Sequence, residues 1–297
     1  MSRTASISAN KPYGVARVTR VWALPRSTFY AARLRAASAV VVQKRGPKTA
    51  FTDGELTEQI RAVIQASPFF GEGHRKIWAR LRYAGVRTSK HRVLRLMRSA
   101  ELLAPARRPA MHDSNPHKGT IISEAPNQVW GTDATATVTI ADGQVTVFAA
   151  IDHCTADCVG IHAVKRATRF EALEPIRQGV RDHFGGFGSA VASGLRLRHD
   201  HGSQYMSDDF QKEIRFLGIE SSPAFVRQPE GNGCIERFFR TLKEQLLWVR
   251  YFENMDQLQL ALRQFKEAYN RSWLIQRLNF RAPSQARHDF LAHKAAA

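Results

Sequence analysis

Three carboxylates stand in company that suggests joint chemistry. Asp133 follows Trp130-Gly131-Thr132, Asp200 lies within Arg198-His199-Asp200-His201-Gly202-Ser203-Gln204-Tyr205, and Glu236 lies within Asn232-Gly233-Cys234-Ile235-Glu236-Arg237. Nowhere does a histidine and cysteine set stand at zinc-like spacing. The donors on offer are therefore hard oxygens, which suit Mg²⁺ or Mn²⁺ and so point to work on phosphates. Each residue also has an ordinary reading. A carboxylate in a strand can serve a salt bridge or hydrogen-bond network, an aspartate where a strand meets a Gly-Ser loop can close an Asx turn, and a glutamate in a first helical turn answers the helix dipole. Their spacing is what combines them: 35 residues separate Asp200 from Glu236, and Lys243 follows seven after Glu236. On a helix, Glu236, Arg240 and Lys243 share one face, a ligand followed by two phosphate or DNA contacts.

The elements that must position these residues can be read from periodicity. Val129 to Ile140 alternates as a strand with Asp133 opposite in face to Trp130, and Asp142-Gly143 is a hairpin turn into a second strand, Gln144 to Asp152. Cys158 to Lys165 reads as a third strand, completing an antiparallel meander. Thr168 with Glu171 forms a capping box for a helix marked by Leu173, Ile176, Val180 and Phe184, although Pro175 falls inside it. Leu195 to His199 is a short strand ending at Asp200, Ser207 caps a helix closed by Gly218, and Ile219 to Ser222 is one more strand. A helix from Asn232 to Val249 has Ile235, Phe238, Phe239, Leu242 and Leu246 as its apolar stripe. This order describes a mixed α/β sandwich.

Charge divides the chain. The total of 297 residues carries a formal charge of +18, and residues 1–120 hold 23 Lys and Arg against 6 Asp and Glu, leaving 21 against 20 in the rest. A basic front ahead of a near-neutral back reads as a nucleic-acid grip attached to a part with other work. Leu56, Ile60, Val63 and Ile64 mark one helix; Ile77, Trp78 and Leu81 mark another, ended by Gly85. A third begins near Ser89 and carries Lys90, His91, Arg92, Arg95 and Arg98. Two helices joined through a glycine turn, the second one basic, describe a helix-turn-helix, the other reading being a solvated basic helix. Tyr13 to Tyr30 reads as a second helix-turn-helix-like pair or an ordinary helical hairpin, with Val15, Val18 and Trp22 on one face. Pro105, Pro109, Pro116 and Pro126 mark a basic linker. The resulting division is 1–50 helical and basic, 51–104 helix-turn-helix, 105–126 linker, 127–250 catalytic core and 251–297 a closing helical segment. Three cysteines, Cys154, Cys158 and Cys234, make no closed disulfide framework, and no signal layout or long apolar run is present, so a soluble, intracellular protein is expected.

With these residues in view, the sequence resembles the DDE transposases of bacterial insertion sequences that share a retroviral-integrase core. It is most similar to the second-reading-frame product of the third insertion-sequence family. Trp-Gly-Thr-Asp, His-Asp-His-Gly-Ser-Gln-Tyr and Asn-Gly-Cys-Ile-Glu-Arg-Phe-Phe-Arg-Thr-Leu-Lys carry the likeness, with Tyr269-Asn270 and Ala282-Pro283-Ser284 near the end. The resemblance implies an RNase H-like integrase core behind a small all-α helix-turn-helix region. It also implies a catalytic and metal-binding triad of Asp133, Asp200 and Glu236 holding two Mg²⁺ or Mn²⁺ ions, with Lys243 on the element's end. Cleavage at insertion-sequence ends and transfer of the 3′-hydroxyl into target DNA are the implied reactions. The implied partners are double-stranded DNA, further copies of the chain on that DNA and an upstream-reading-frame protein. Two positions depart from the pattern: His199 where the family has serine, and Ser272-Trp273-Leu274 after Tyr-Asn.

His199 and His201 could act as bases, ligands or phosphate contacts, and Gln204 and Tyr205 could position DNA or pack the turn. Trp130 reads as core. Two rival functions keep the same features: a structure-selective nuclease that cuts without joining, and a DNA-binding regulator with an inactive core.

Overall fold

The computed structural model describes residues 3–37, 50–105, 123–223 and 232–296. The end of the basic segment read over 1–50, residues 38–49, and most of the linker read over 105–126 lie outside those residues. The chain forms two compact units, Met1–Ala50 and Phe51–Ala297. In the first, α1 (Gly14–Val21) and α2 (Arg26–Ala37) are joined across Leu24-Pro25. Thr19 is buried in α1 and its hydroxyl donates to the Val15 carbonyl at 2.8 Å. Trp22, grouped with Val15 and Val18 by spacing, is instead exposed. The helix has stopped at Val21, and Trp22 sits in its cap rather than on its face.

The second unit begins with α3 (Asp53–Ala66), α4 (His74–Tyr83) and α5 (Lys90–Ser99). Thr52 and Glu55 close a capping box on α3, and Ser89 caps α5 by accepting from Arg92 N–H at 3.1 Å. Gly85, at φ +80°, takes the left-handed turn between α4 and α5 that a side chain would resist. Leu56, Ile60, Ile77, Leu81, Val86, Val93, Leu96 and Met97 form the core of this three-helix group.

The sheet has order β3-β2-β1-β4-β5, from β1 (Val129–Thr139), β2 (Gly143–Asp152), β3 (Cys158–Val164), β4 (Arg196–His199) and β5 (Glu220–Pro223). β1 to β3 form the expected antiparallel meander, and β4 and β5 run parallel to β1. One face packs on α6 (Arg169–Phe184) and α8 (Asp208–Phe216) through Trp130, Phe148, Leu173, Ile176 and Phe210. The other packs on α9 (Gly233–Leu242) and α10 (Met255–Ser272) through Val147, Ile151, Phe238, Leu262 and Phe265. The chain closes with α11 (Pro283–Ala296).

Two local outcomes differ from the sequence pattern. Pro175 does not break α6. It is buried, and its carbonyl lies against Gly160 of β3 so closely that a Cβ there would be 2.0 Å away. Tight burial of the helix on the strand offsets the hydrogen bond that proline cannot make. The helix read as running to Val249 is α-helical only to Leu242 and continues as a π turn over Lys243–Leu247. The wider turn brings Leu247 into the core and leaves Leu246 partly buried.

The outer edge of β3 is covered by side chains. Asn270 accepts from Cys158 N–H at 2.8 Å and donates to its carbonyl at 3.0 Å. Lys266 donates to the Val159 carbonyl, Gln259 to that of Ala163, and Ile161 N–H donates to Gln178. Edges left bare invite pairing with another chain.

Gly160→Ala is expected to lower stability by about 3 kcal/mol, the upper range for overpacking a core. The check is the urea midpoint, and a midpoint unchanged from wild type would mean that α6 has room to move off the strand.

Candidate active site

β1 is the central strand, and Asp133 lies mid-strand opposite Ala149 of β2. The small cross-strand neighbour leaves space for a carboxyl on the face that α9 covers. That face is crowded at Gly131, where a Cβ would stand 2.6 Å from His153 Nε2 and 2.7 Å from Asn232 Oδ1. The missing side chain is what lets the start of α9 approach the strand. Asn232 is buried at that start and its amide donates to the Thr132 carbonyl at 3.2 Å. One helical turn later stands Glu236, exposed.

Asp200 follows the last residue of β4, which lies beside β1 with Gly131 opposite Arg198. It is exposed, and its Oδ1 accepts from Gly202 N–H at 2.8 Å, the Asx-type turn that was the ordinary reading of this residue. The three carboxylates thus stand on three separate elements. Burial raises the Asp133 pKa to about 6, with Asp200 and Glu236 pushing the same way; the Ala134 N–H, at 2.8 Å, and the Lys243 ammonium oppose them. Asp133 therefore lies within electrostatic reach of Asp200, Glu236 and Lys243 together. Among the described residues, no three His, Cys, Asp or Glu side chains close into an ion-binding cage. As a donor set the three are nonetheless all oxygen, and a carboxyl crowded by two others gains from a cation.

Behind the site, Asp152 is fully buried and accepts from the backbone N–H groups of Asn127 at 2.6 Å, Cys154 at 2.8 Å and Thr155 at 2.9 Å. Arg287 of α11 reaches Asp157 at 2.8 Å and Asp152 at 3.4 Å, and Arg277 donates to the carbonyls of His153 and Cys154. This set ties the ends of β1 and β2 to the closing segment. His153, whose pKa burial lowers to about 4, belongs to it and stays neutral. Sequence reasoning missed His153 and Asn232 as supports; the readable signal was a bare glycine two residues before a strand aspartate.

The other residues singled out by sequence divide clearly. Trp130 is fully buried, in keeping with its reading as core. Tyr205 packs in the core and burial raises its phenol well above the ordinary value. Burial likewise raises the thiols of Cys154, Cys158 and Cys234, that of Cys158 to about 12, so none is poised as a nucleophile. His199 is buried, and that burial lowers its pKa, so it is a neutral side chain within the fold. His201 is exposed on the loop. Arg240 is exposed on α9, and Lys243 begins the π turn.

On α5, Lys90, His91, Arg95 and Arg98 are exposed. Arg92 and Arg95 each reach Asp53 at 2.8 Å, which holds the Asp53 carboxyl below its usual range, Arg95 contributing most. Lys90 lies over the Trp78 ring at 4.5 Å. The three-helix group is tied to the closing segment by Arg80 donating to the Ser272 carbonyl at 3.0 Å and Tyr83 to that of Phe280 at 3.0 Å.

Residues 123–229 and 217–283 each match a family described as integrase core domain, and residues 52–110 match an HTH-like domain. A transposase InsD for insertion element IS2A/D/F/H/I/K of Escherichia coli is 27% identical over 92% of this chain and 90% of its own length. A 48.2 kDa uncharacterized protein of insertion element IS2A, also from Escherichia coli, is 27% identical over 95% of this chain, which spans 66% of that relative. The HTLV-2 integrase catalytic core domain, solved in complex with magnesium, covers 56% of this chain and 99% of its own, at 18% identity and a TM-score of 0.42. A chain of a simian T-cell lymphotropic virus intasome covers 56% of this chain and 54% of its own, at 20% identity and a TM-score of 0.37.

In metal-free buffer, Asp133→Asn is expected to stabilise the fold at pH 7.5 by about 1–2 kcal/mol, discounted for partial exposure. The folded carboxyl holds its proton more tightly than the unfolded one, so wild-type stability falls as pH rises from about 4 to about 6. The gain should therefore fade towards pH 4. Urea unfolding at the two pH values decides, and equal gains would mean the carboxyl is not under electrostatic strain.

Proposed function

We propose that this chain, which matches integrase core and HTH-like domains and is similar to the IS2 InsD transposases, is a polynucleotidyl transferase of transposase type in which Asp133, Asp200 and Glu236 form the catalytic and metal-binding triad. The observation that carries this reading is the shared electrostatic field at Asp133, to which Asp200, Glu236 and Lys243 contribute from a strand end and a helix that are remote in sequence. Two Mg²⁺ or Mn²⁺ ions held there would supply Lewis acidity, activating an oxygen nucleophile and stabilising the leaving 3′ oxygen.

The chain's own residues do the rest. Asp133 presents its carboxyl from a rigid central strand, Asp200 from a turn closed on itself, and Glu236 from a helix seated on Gly131. Lys243, with Arg240 on the same helix, holds the phosphates flanking the reacting bond, and the division of labour assigns end binding to α5 through Lys90, His91, Arg92, Arg95 and Arg98. Burial holds the three thiols and the Tyr205 phenol protonated, so none of these four groups is offered as a covalent nucleophile. Water opens the phosphodiester at the element's end and the freed 3′-hydroxyl attacks target DNA. Copies of this chain assembled on two ends, in the bacterial nucleoid and with an upstream-frame partner, complete the proposal.

The deciding experiment incubates the chain with candidate element ends and MgCl₂ and resolves nicked and joined strands. Joined products are expected; nicked products alone would favour the structure-selective nuclease. Changing Asp133, Asp200 or Glu236 to Ala should lower both products at least a thousandfold with DNA binding retained, and full nicking by Glu236→Ala would remove Glu236 from the triad. Arg95→Ala combined with Arg98→Ala should weaken end binding and reduce the slope of log affinity against log salt by roughly one for each phosphate no longer neutralised. A slope equal to that of wild type would take α5 off the DNA.

A further inference from the structure

His199 occupies the position immediately before Asp200 and is fully buried. Its ring is engaged at both nitrogens: Nδ1 lies 2.7 Å from the Asp200 carbonyl oxygen and Nε2 lies 2.9 Å from Ser221 Oγ on β5. A carbonyl can only accept, so Nδ1 carries the proton and donates; Nε2 then has a lone pair and accepts from the Ser221 hydroxyl. One neutral tautomer satisfies both ring nitrogens. The ring is also clamped from the sides, stacked on Tyr205 at 5.5 Å with an interplanar angle of 26° and edge-on to Phe210 at 6.0 Å.

The location of this arrangement gives it a purpose. β4 has four residues, and its pairing with β5 ends at His199 opposite Pro223, which has no N–H to offer the ladder. The backbone alone would leave the strand end loose where Asp200 must be presented. The His199 to Ser221 bond adds a cross-strand tie at that end, and the bond to the Asp200 carbonyl fixes the peptide that leads into the turn. Tyr205 closes the far side, since its own N–H donates to the Gly202 carbonyl at 3.0 Å and its ring returns to lie on the imidazole. An apolar plug would fill the space and would make neither bond.

We propose that His199 is a positioning residue for the second carboxylate, its imidazole bridging the Asp200 carbonyl and the Ser221 hydroxyl so that the Asp200 turn is held in one geometry for ion binding. The inference rests on the triad reading above. His199→Phe keeps an aromatic ring in the stack and removes both hydrogen bonds; His199→Asn restores a donor towards the Asp200 carbonyl; Ser221→Ala removes the outer tie alone.

The test uses the full chain and three readouts. Mn²⁺ affinity is measured by the electron paramagnetic resonance of free ion, DNA-end cleavage is followed for kcat and KM, and the thermal midpoint reports folding. His199→Phe is expected to weaken Mn²⁺ binding about fivefold and lower kcat at least tenfold while KM for the DNA end stays within twofold. His199→Asn should recover part of both losses, and Ser221→Ala should show the same pattern at about threefold. The inference is overturned if His199→Phe binds Mn²⁺ and turns over within twofold of wild type. It is equally overturned if Mn²⁺ binding weakens, KM rises and the thermal midpoint falls together without recovery in His199→Asn, which is the pattern of a packing residue. Should His199→Phe not fold, Ser221→Ala decides by the same limits. Asp200→Asn, run alongside, separates the two layers: wild-type activity in that variant sinks the triad, whereas an inactive Asp200→Asn beside a wild-type His199→Phe sinks only the positioning role.

Discussion

Holding an aspartate carboxyl half out of water beside two further carboxylates is the constraint on which this architecture turns. Left to themselves such groups would separate, so each must be fixed by an element that has other reasons to be where it is. Asp133 is carried by the central strand, gripped on one side by the β2 ladder and on the other by β4. Glu236 is carried by a helix whose approach depends on the absence of one side chain, at Gly131. Asp200 is carried by a turn beside that strand, backed by a buried ring. The Asp152, Asp157 and Arg287 set ties the ends of the central strands to the closing helix from behind. Electrostatic strain at the site is thus supported by packing and hydrogen bonding around it.

Charge serves different ends along the chain. The basic excess lies ahead of the core, but some of that charge is structural: Arg92 and Arg95 serve Asp53, and Arg80 serves buried Glu72 and the Ser272 carbonyl. A count of lysines and arginines therefore overstates the surface available to a polyanion. It still locates the correct half of the molecule, because pairing a basic side chain with a carboxylate through one edge of its guanidinium leaves the rest of the group charged and hydrated.

Much of this was readable in advance, for identifiable reasons. The meander followed from period-two alternation and Asp142-Gly143, and the helix starts at Ser89, Thr168 and Ser207 followed from side chains that cap, because both signals are local. The parallel pairing of β4 and β5, the π turn after Leu242 and the survival of α6 through Pro175 were not readable. None has a signal in its own stretch of sequence; Pro175, for instance, survives within α6 packed against Gly160 of β3. At the site, residue types and spacing named the carboxylates but not their supports. Asn232 and His153 matter through a contact over Gly131 that no periodicity announces, and His199 looked like a departure in a motif when its ring is packed within the fold.

The covered edge of β3 has a further consequence, in the order in which the molecule is made. Its caps Gln259, Lys266 and Asn270 lie 96, 107 and 112 residues beyond the strand atoms that they satisfy. At elongation rates of about 5–20 residues per second, the strand waits roughly 5–20 s on the ribosome with those backbone groups open. During that interval the nascent sheet can be extended by any exposed strand nearby, and a chain released before α10 is complete keeps that liability permanently.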